Sequence, residues 1–148
     1  MKVVNRKYNR EYSKIESLEA GISLTGAEAK SLRAEQIKID DAFVRLMNDG
    51  AYLINAEIPI YKFARPQGYD PRRSRKLLLH KKELTRLRTK LNSAKGLTIV
   101  PLSCYLKGHR FKLEIALSKG KTDIEKRRGE KARDIARAID KEIKEYVR

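Results

Sequence analysis

The 148 residues of this chain suffice for one domain with a buried hydrophobic core. Its 35 Lys and Arg residues against 19 Asp and Glu give a net charge of +16, which predicts a polyanionic partner. Nucleic acid is the first candidate and an acidic membrane surface the second. The single cysteine excludes an internal disulfide. Because no long apolar span or signal peptide is present, we expect a soluble intracellular protein.

The first third of the chain combines turns with one strand and one helix. Residues 1–12 are basic and rich in turn formers, and they predict a loosely held arm. The next segment alternates like a strand and contains Gly21, where we expect a bend. Thr25 and Glu28 have the spacing of a capping box, which predicts a short helix through about Ala34.

The middle of the chain predicts a hairpin, a loop and a helix. Apolar residues alternate over residues 43–54 on both sides of a turn at Asp49-Gly50. Residues 62–76 contain prolines, glycine and many cations, and they predict a basic loop. Leucines recur at i, i+3 and i+7 over residues 81–92, which indicates an amphipathic helix.

The last part of the chain predicts a second hairpin and a tail. The hairpin covers residues 96–117 and turns at Lys107-Gly108, with Pro101 at an edge or a bulge. Residues 121–148 change to a helical period with a thin apolar stripe and charges of both signs. Such a helix cannot build a core alone, so we expect it to stay mobile until a partner covers it.

These elements predict a mainly β fold with short helices, in the α+β class. Closing the antiparallel sheet into a small barrel removes its exposed edges, which favours an architecture like the oligonucleotide-binding (OB) fold. We therefore expect an RNA-binding barrel over residues 1–120, including the arm over 1–12. The basic tail over 121–148 is then helical or disordered.

The sequence contains no pattern of residues typical of an enzyme. His80 and His109 are far apart, without acidic residues or cysteines at metal-ligand spacing. No glycine-rich phosphate loop is present. Cys104 lies in an apolar strand, which favours a small buried core residue over a nucleophile. We expect a binding protein without metal or cofactor.

Residues 62–90 contain eleven cations and only two acidic residues, Asp70 and Glu83. A charge run is usually a solvated face, but this excess favours phosphate contacts. Lys and Arg alone do not choose between RNA and DNA, whereas a barrel with basic loops is typical of proteins that bind irregular or single-stranded RNA. Glu19 either ends a strand or accepts hydrogen bonds from a guanine edge, which would add specificity. The eleven cations are Lys62, Arg65, Arg72, Arg73, Arg75, Lys76, Lys81, Lys82, Arg86, Arg88 and Lys90.

Three adjacent leucines precede the predicted helix over 81–92. Side chains alternate faces in a strand, so Leu77 and Leu79 share the core side and Leu78 takes the other. An exposed leucine is usually incidental. We expect Arg75 and Lys82 to bind phosphate beside it.

Several segments, in their order along the chain, resemble the SsrA-binding protein family, also called small protein B. The resemblance covers almost the whole chain. It implies an OB-like barrel with a basic tail, and it implies no catalytic activity. The segments are EAGISLTGAEAKSLR (19–33), RKLLLHKKEL (75–84), GLTIVPLSCYLK (96–107) and KLEIALSKGK (112–121).

The resemblance implies a bacterial, cytoplasmic role in trans-translation, the rescue of stalled ribosomes. The expected partners are the tRNA-like domain of transfer-messenger RNA (tmRNA), the ribosome at its decoding centre and mRNA channel, and elongation factor Tu indirectly through the RNA. In this family the tail is helical when bound to the ribosome. No membrane partner is implied.

The resemblance also implies two groups of site residues. Asn5, Glu19, Leu78 and Lys112 match the family's RNA-contacting positions. Together with the strand alternation, this match favours Leu78 as an apolar platform for an unstacked base. Arg75, Lys76 and Lys82 add phosphate contacts. Arg10, which replaces the family's usual histidine, and Glu125, Lys126 and Arg127 at the start of the tail are expected to contact the ribosome.

Three other functions fit parts of the sequence. A ribosomal or tRNA-binding barrel has the same charge and hairpins. An RNA-processing enzyme requires an acidic cluster or cofactor loop that the sequence lacks. A peripheral membrane protein would use the basic tail, whose Ala, Ile and Val stripe is weak for insertion.

Overall fold

The computed structural model describes residues 1–63 and 67–146 of the chain. Arg65, one of the predicted phosphate-binding cations, therefore lies outside the described residues, as do the last two positions of the tail. The described part consists of β1 (Lys2–Val4), α1 (Tyr8–Glu11), β2 (Tyr12–Ile22), α2 (Gly26–Arg33), β3 (Phe43–Met47), β4 (Gly50–Ile54), β5 (Arg75–Leu78), α3 (Lys81–Ser93), β6 (Leu97–Lys107), β7 (Arg110–Gly120) and α4 (Asp123–Tyr146).

The seven strands form one antiparallel sheet that closes on itself. Its order is β1-β6-β3-β4-β5-β2-β7, and β6 also pairs with β7, so six strands form a ring and β1 is added beside β3 along β6. This arrangement confirms the α+β class and the antiparallel sheet. The closed ring leaves few free strand edges.

Both predicted hairpins are present, and each turns one residue away from the predicted position. Met47 pairs with Gly50, so the first turn is Asn48-Asp49. The second hairpin pairs Lys107 with Arg110 and turns at Gly108-His109. Glycine is favoured at position 108 because φ there is +63°.

The core fills the inside of the barrel and continues under α3. Strand residues such as Leu53, Ile99 and Leu113 are fully buried, and Leu87 of α3 joins them. Pro101 lies where the β6–β7 register shifts, which confirms the predicted bulge. The capping box that begins α2 is also confirmed, with Thr25 and Glu28 bonded reciprocally.

The amino-terminal arm is held firmly, so the prediction of a loose arm is wrong. β1 pairs with β6, and the Asn5 side chain is buried and donates to the Pro101 carbonyl oxygen over 2.9 Å. The Tyr8 hydroxyl lies 2.5 Å from Ser118 Oγ. These partners are about 100 residues away in sequence, which is why local composition did not reveal them.

An ion pair is buried between α2 and β5. Arg75 is fully buried, and its Nε donates to Glu28 Oε2 over 2.5 Å. The other Arg75 nitrogens donate to the carbonyl oxygens of Ala56 (2.9 Å) and Pro71 (3.0 Å). Glu28 Oε1 accepts from Arg73 over 2.6 Å. Each nitrogen of the Arg75 guanidinium and each oxygen of the Glu28 carboxylate is thus bonded, as a buried charge requires.

Helix α4 leaves the barrel with none of its described residues buried. It is held near its start, where the Lys121 N–H donates to the Glu11 carbonyl oxygen (2.8 Å), and by an exposed ion pair between Arg10 Nε and Glu130 Oε1 (2.5 Å). The predicted mobility of the free tail stays a prediction. Among the described residues, no helix is both long and apolar enough to cross a membrane.

Replacing the buried carboxylate tests the role of this ion pair. Glu28→Ala leaves the Arg75 guanidinium buried without an anion, so the free energy of unfolding is expected to fall by about 3–5 kcal/mol at pH 7. Urea unfolding measures this change. The matched control is Glu83→Ala, because the Glu83 carboxylate accepts from the His80 N–H at the same helical position but is only half-buried. Its cost is expected near 1 kcal/mol, and an equal cost for both variants would contradict the assignment.

The same ion pair predicts a pH dependence. Burial raises the pKa of Glu28, but hydrogen bonds from Arg73, from the Thr25 N–H and from Arg75 outweigh it, so the pKa is lowered. A carboxylate with a lowered folded-state pKa contributes stability above its ordinary pKa, and this stability is lost as the pH falls through the folded value. The stability difference between the wild type and Glu28→Ala is therefore expected to shrink in acid, when unfolding is repeated towards pH 3.

Candidate nucleic-acid interface

One row of residues crosses four strands on the outside of the barrel. Leu78 of β5 pairs with Gly21 of β2, Gly21 pairs with Lys112 of β7, and Lys112 pairs with Tyr105 of β6. Residues directly opposite each other in a sheet point to the same face. We call Leu78, Gly21, Lys112 and Tyr105 the cross-strand row. Three distant segments of the sequence therefore meet at one surface.

The leucine triplet has the alternation that the sequence predicts. Leu77 is 3% exposed and Leu78 is 60% exposed, while Leu79 is partly buried against the core. Leu78 lies over Gly21, where a Cβ atom would be 3.1 Å from the Leu78 Cβ. Glycine at position 21 therefore provides the space in which the exposed leucine rests on the sheet.

Glu19 is two residues from Gly21 on the same face of β2. Its carboxylate accepts a hydrogen bond from the Tyr105 hydroxyl and lies 3.4 Å from Lys107 Nζ. The Tyr105 hydrogen bond and the charges of Lys107 and Lys112 lower the pKa of Glu19. Burial and the Glu19 carboxylate raise the pKa of Tyr105 to about 12. At neutral pH the tyrosine therefore donates, and the oriented carboxylate acts only as an acceptor.

Four predicted RNA-binding residues line one depression next to this row: Glu19, Lys76, Leu78 and Lys112. An apolar platform, a carboxylate and two lysines are thus within reach of one ligand. Lys82 is exposed in the first turn of α3, and two residues close to it in the chain, His80 and Glu83, line the same depression. This combination suits an unstacked base with its phosphates.

Two of the predicted RNA-contacting residues have buried side chains. Arg75 belongs with Leu77 on the inner side of β5, since two residues separate positions on one face of a strand. It is bonded to Glu28 and cannot bind phosphate beside Leu78. Asn5 is buried as well, where its side chain donates to the Pro101 carbonyl and accepts from the Lys7 N–H.

The basic run over residues 62–90 contributes fewer cations to the surface than its sequence suggests. Arg73 is paired with Glu28, and both Arg86 and Lys90 are paired with Glu16. Among the described residues, Lys76, Lys81 and Lys82 have no salt bridge, and the depression described above lies beside them.

Sequence reasoning missed Tyr105 as the donor to Glu19 and Gly21 as the seat of Leu78. The predicted turn at Lys107-Gly108 would have paired Tyr105 with Arg110, two positions from its actual partner Lys112. A turn placed at Gly108-His109 gives the correct partner. The alternation around Cys104 was the available indication that Tyr105 points outward.

The residues predicted to contact the ribosome lie near the junction of the barrel and α4. Arg10 is in α1 and is paired with Glu130 of α4. Glu125, Lys126 and Arg127 lie in the first turns of α4, where the Glu125 N–H donates to the Thr122 hydroxyl. The structure contains no partner that tests these contacts, so they stay predictions.

No metal-binding group of His, Cys, Asp or Glu is found in the described part of the chain. The Cys104 thiol is buried in the barrel core, and burial raises its pKa to about 12. It is therefore protonated at neutral pH and packs as a small apolar residue.

Comparisons with known proteins agree with these observations. A family model described as SmpB protein matches residues 2–145. The SsrA-binding protein of Sulfurihydrogenibium sp. (strain YO3AOP1) is 47% identical over 97% of this chain and 94% of the relative. That of Deinococcus radiodurans is 46% identical, over 91% of this chain and 94% of the relative.

A solved structure described as "tmRNA-SmpB: a journey to the center of the bacterial ribosome" contains a similar chain. It is 41% identical, matches with a TM-score of 0.68, and the match covers 82% of this chain and 85% of that chain. The resemblance inferred from the sequence segments is confirmed, and this chain belongs to the SmpB protein family.

Proposed function

We propose that this chain binds tmRNA through its tRNA-like domain and acts with it on stalled bacterial ribosomes in trans-translation. Similarity to SsrA-binding proteins and to a chain from a tmRNA–SmpB structure supports this function. The protein binds RNA and catalyses no reaction. It works in the bacterial cytoplasm, where its other partner is the ribosome.

The observation that carries the proposal is the position of Leu78 on Gly21 between Lys112 and Lys76, beside the ionised Glu19. Leu78 supplies an apolar surface for an unstacked base, and the carboxylate accepts hydrogen bonds from donors on its edge. The lysines bind the neighbouring phosphates. Specificity and affinity thus come from different side chains of one site.

The charges divide unequally between the two parts of the chain. Residues 121–148 contain ten Lys and Arg against seven Asp and Glu, which leaves +13 of the net +16 on residues 1–120. Long-range attraction of RNA therefore comes mainly from the barrel. The tail acts through the placement of its side chains, and we propose that it enters the mRNA channel as a helix. Elongation factor Tu is reached only through the bound RNA.

Truncating the exposed leucine tests the proposed platform. Leu78→Ala is expected to weaken binding to the tRNA-like domain about 5- to 30-fold, because about 1–2 kcal/mol of apolar contact is lost. Stability should change by less than about 0.5 kcal/mol. Fluorescence anisotropy at moderate salt, with bulk tRNA and duplex DNA as competitors, measures both affinity and preference.

Ile15→Ala is the matched control, since Ile15 is an exposed apolar residue on β2 away from the depression. It should leave RNA affinity unchanged. Equal wild-type affinity for the three nucleic acids would contradict the proposed function. A large drop in melting temperature for Leu78→Ala would instead place the leucine in the core.

Removing the Glu19 charge tests whether its carboxylate recognises the edge of a base. Glu19→Gln should weaken binding to the tRNA-like domain about 10- to 100-fold, because hydrogen bonds to a charged acceptor are lost. Affinity for duplex DNA should stay constant or rise, because a negative charge is removed. Glu114→Gln removes the same charge directly opposite Glu19 on β7 and should not weaken binding. Equal losses for RNA and DNA would show that Glu19 maintains the fold and does not recognise RNA.

Deleting the tail tests whether the barrel binds the RNA and the tail acts on the ribosome. The chain should end at Thr122, because Lys121 is bonded to the barrel through Glu11 and Asn9. This variant is expected to bind the tRNA-like domain within about threefold of the full chain and to lose tagging of nascent peptides on stalled ribosomes. If RNA binding were lost while the barrel stayed folded, the tail would belong to the RNA site.

A further inference from the structure

A second basic and aromatic surface adjoins the depression on the outside of the barrel. Lys76 of β5 pairs with Tyr52 of β4, and Tyr52 pairs with Arg45 of β3. These three residues point to the same outer face, and Lys76 also lines the depression that contains Leu78. The outer face of the sheet thus leads from the proposed base site to Arg45.

Arg45 is exposed and oriented by an aromatic neighbour. Its guanidinium carbon lies 5.6 Å from the centre of the Phe43 ring, a cation–π arrangement that stabilises an arginine without using its hydrogen-bond donors. Within the described residues, Arg45 has no salt bridge. Its planar donors are therefore available to an anion.

Arg45 borders a groove between β3 and β6, the two neighbouring barrel strands with the fewest paired residues. β3 and β6 pair at one position, Val44 with Ile99, and beyond it the strands separate. The groove between them is closed at one side by the carboxyl-terminal half of α3. Its lining includes Met47 and Leu97, which give it an apolar floor.

Arg88 of α3 also lines this groove and has an unused donor. One terminal nitrogen of its guanidinium donates to the Met47 carbonyl oxygen. Its Nε atom is buried and has no hydrogen-bond partner among the described residues. A buried N–H of a charged group is costly to leave unbonded, so this position favours an incoming acceptor.

The groove is positive. Arg45 and Arg88 line it, and no Asp or Glu does so within the described residues. The nearest turn carries Asp49, which accepts a hydrogen bond from Tyr52 over 2.6 Å and lines the depression on the other side of the turn. An anion in the groove therefore meets two guanidinium groups without a facing carboxylate.

We propose that Arg45 and Arg88 form a second phosphate-binding subsite, which takes the phosphodiester backbone of the RNA strand whose base occupies the Leu78 site. This inference rests on the proposed RNA-binding function and extends its surface across β4 and β3. Lys76 and Tyr52 lie along the path between the two sites, so the strand contacts a lysine, a tyrosine ring and then the two arginines.

An RNA strand fits this surface better than a peptide. The path alternates cations with the rings of Tyr52 and Phe43, the pattern of surfaces that hold single-stranded nucleic acid by phosphate contacts and stacking. An acidic peptide would use the same arginines. It would not need continuity with the Leu78 site.

The salt dependence of RNA binding tests the subsite. Each lost phosphate contact reduces the slope of log K against log salt by about 0.7–0.9. For Arg45→Gln, the loss of affinity relative to wild type should therefore be roughly threefold greater at 50 mM than at 200 mM salt. The double variant Arg45→Gln, Arg88→Gln should show roughly a tenfold difference. The probe is the tRNA-like domain of tmRNA, and the full chain is used.

Arg33→Gln is the matched control, since Arg33 is exposed at the end of α2, away from both sites, and loses the same charge. Its slope should equal that of the wild type. Thermal unfolding checks that the double variant is folded. If it is not, the single variant Arg45→Gln still tests the subsite. An unchanged slope for Arg45→Gln, or an equal change for Arg33→Gln, would overturn the subsite.

The two proposals fail in different ways. If the wild type does not prefer the tRNA-like domain, the proposed function itself is wrong. If that preference is present and depends on Glu19, but the arginine variants bind RNA normally, only the second subsite is wrong. Normal RNA binding with a loss of affinity for an acidic peptide would assign the groove to a protein partner and would also overturn the inference.

Discussion

The buried ion pair between Arg75 and Glu28 is the interaction on which the position of the site depends. Strand β5 has only four residues, and an arginine at its first position is held inside by three hydrogen-bond acceptors. With Arg75 and Leu77 facing inward, alternation leaves Leu78 facing out. Burying a pair of charges costs desolvation free energy, but it selects one register of β5. A shift by one residue would turn Leu77 to the solvent and leave the buried Glu28 without its arginine.

The same ion pair joins regions that would otherwise be independent. Glu28 begins α2 through its capping box, and Arg75 reaches the carbonyl oxygens that precede β5. Strand, helix and intervening loop are therefore ordered together. The candidate site takes its geometry from this cluster although none of the cluster's charged groups lines it. We therefore expect substitutions in the cluster to change RNA affinity without removing a direct contact.

Local patterns in the sequence were sufficient for most of the elements and for the exposed leucine. The capping box, the helix over 81–92, the hairpins and the alternation of Leu77 and Leu78 all depend on neighbours within a few residues. The pairing of Tyr105 with Lys112 depends on the turn register, and a turn misplaced by one residue moved it by two. Arg75 was predicted to bind phosphate because of its charge, although strand alternation places it on the same inner face as Leu77.

Contacts between distant segments could not be found in this way. Asn5 and Tyr8 look like loop residues until β6 and β7 supply their partners. Likewise, the cations of α3 look available until Glu16 of β2 is placed beside them. One sequence does not specify which of many acidic residues will neutralise a given lysine. That choice follows from how the sheet closes.

The exposed helix α4 has a consequence for how a second partner is met. Its 24 residues span about 36 Å at 1.5 Å per residue, and the hydrogen bond and ion pair that tie it to the rest of the chain lie before or within its first third. Once the barrel is bound to RNA, the far end of this rod searches only a small volume around that complex. Its encounter with a nearby surface becomes intramolecular, at an effective concentration that the length and stiffness of the helix determine. A tail that binds such a surface only weakly on its own can then still bind it once the RNA has brought the barrel close.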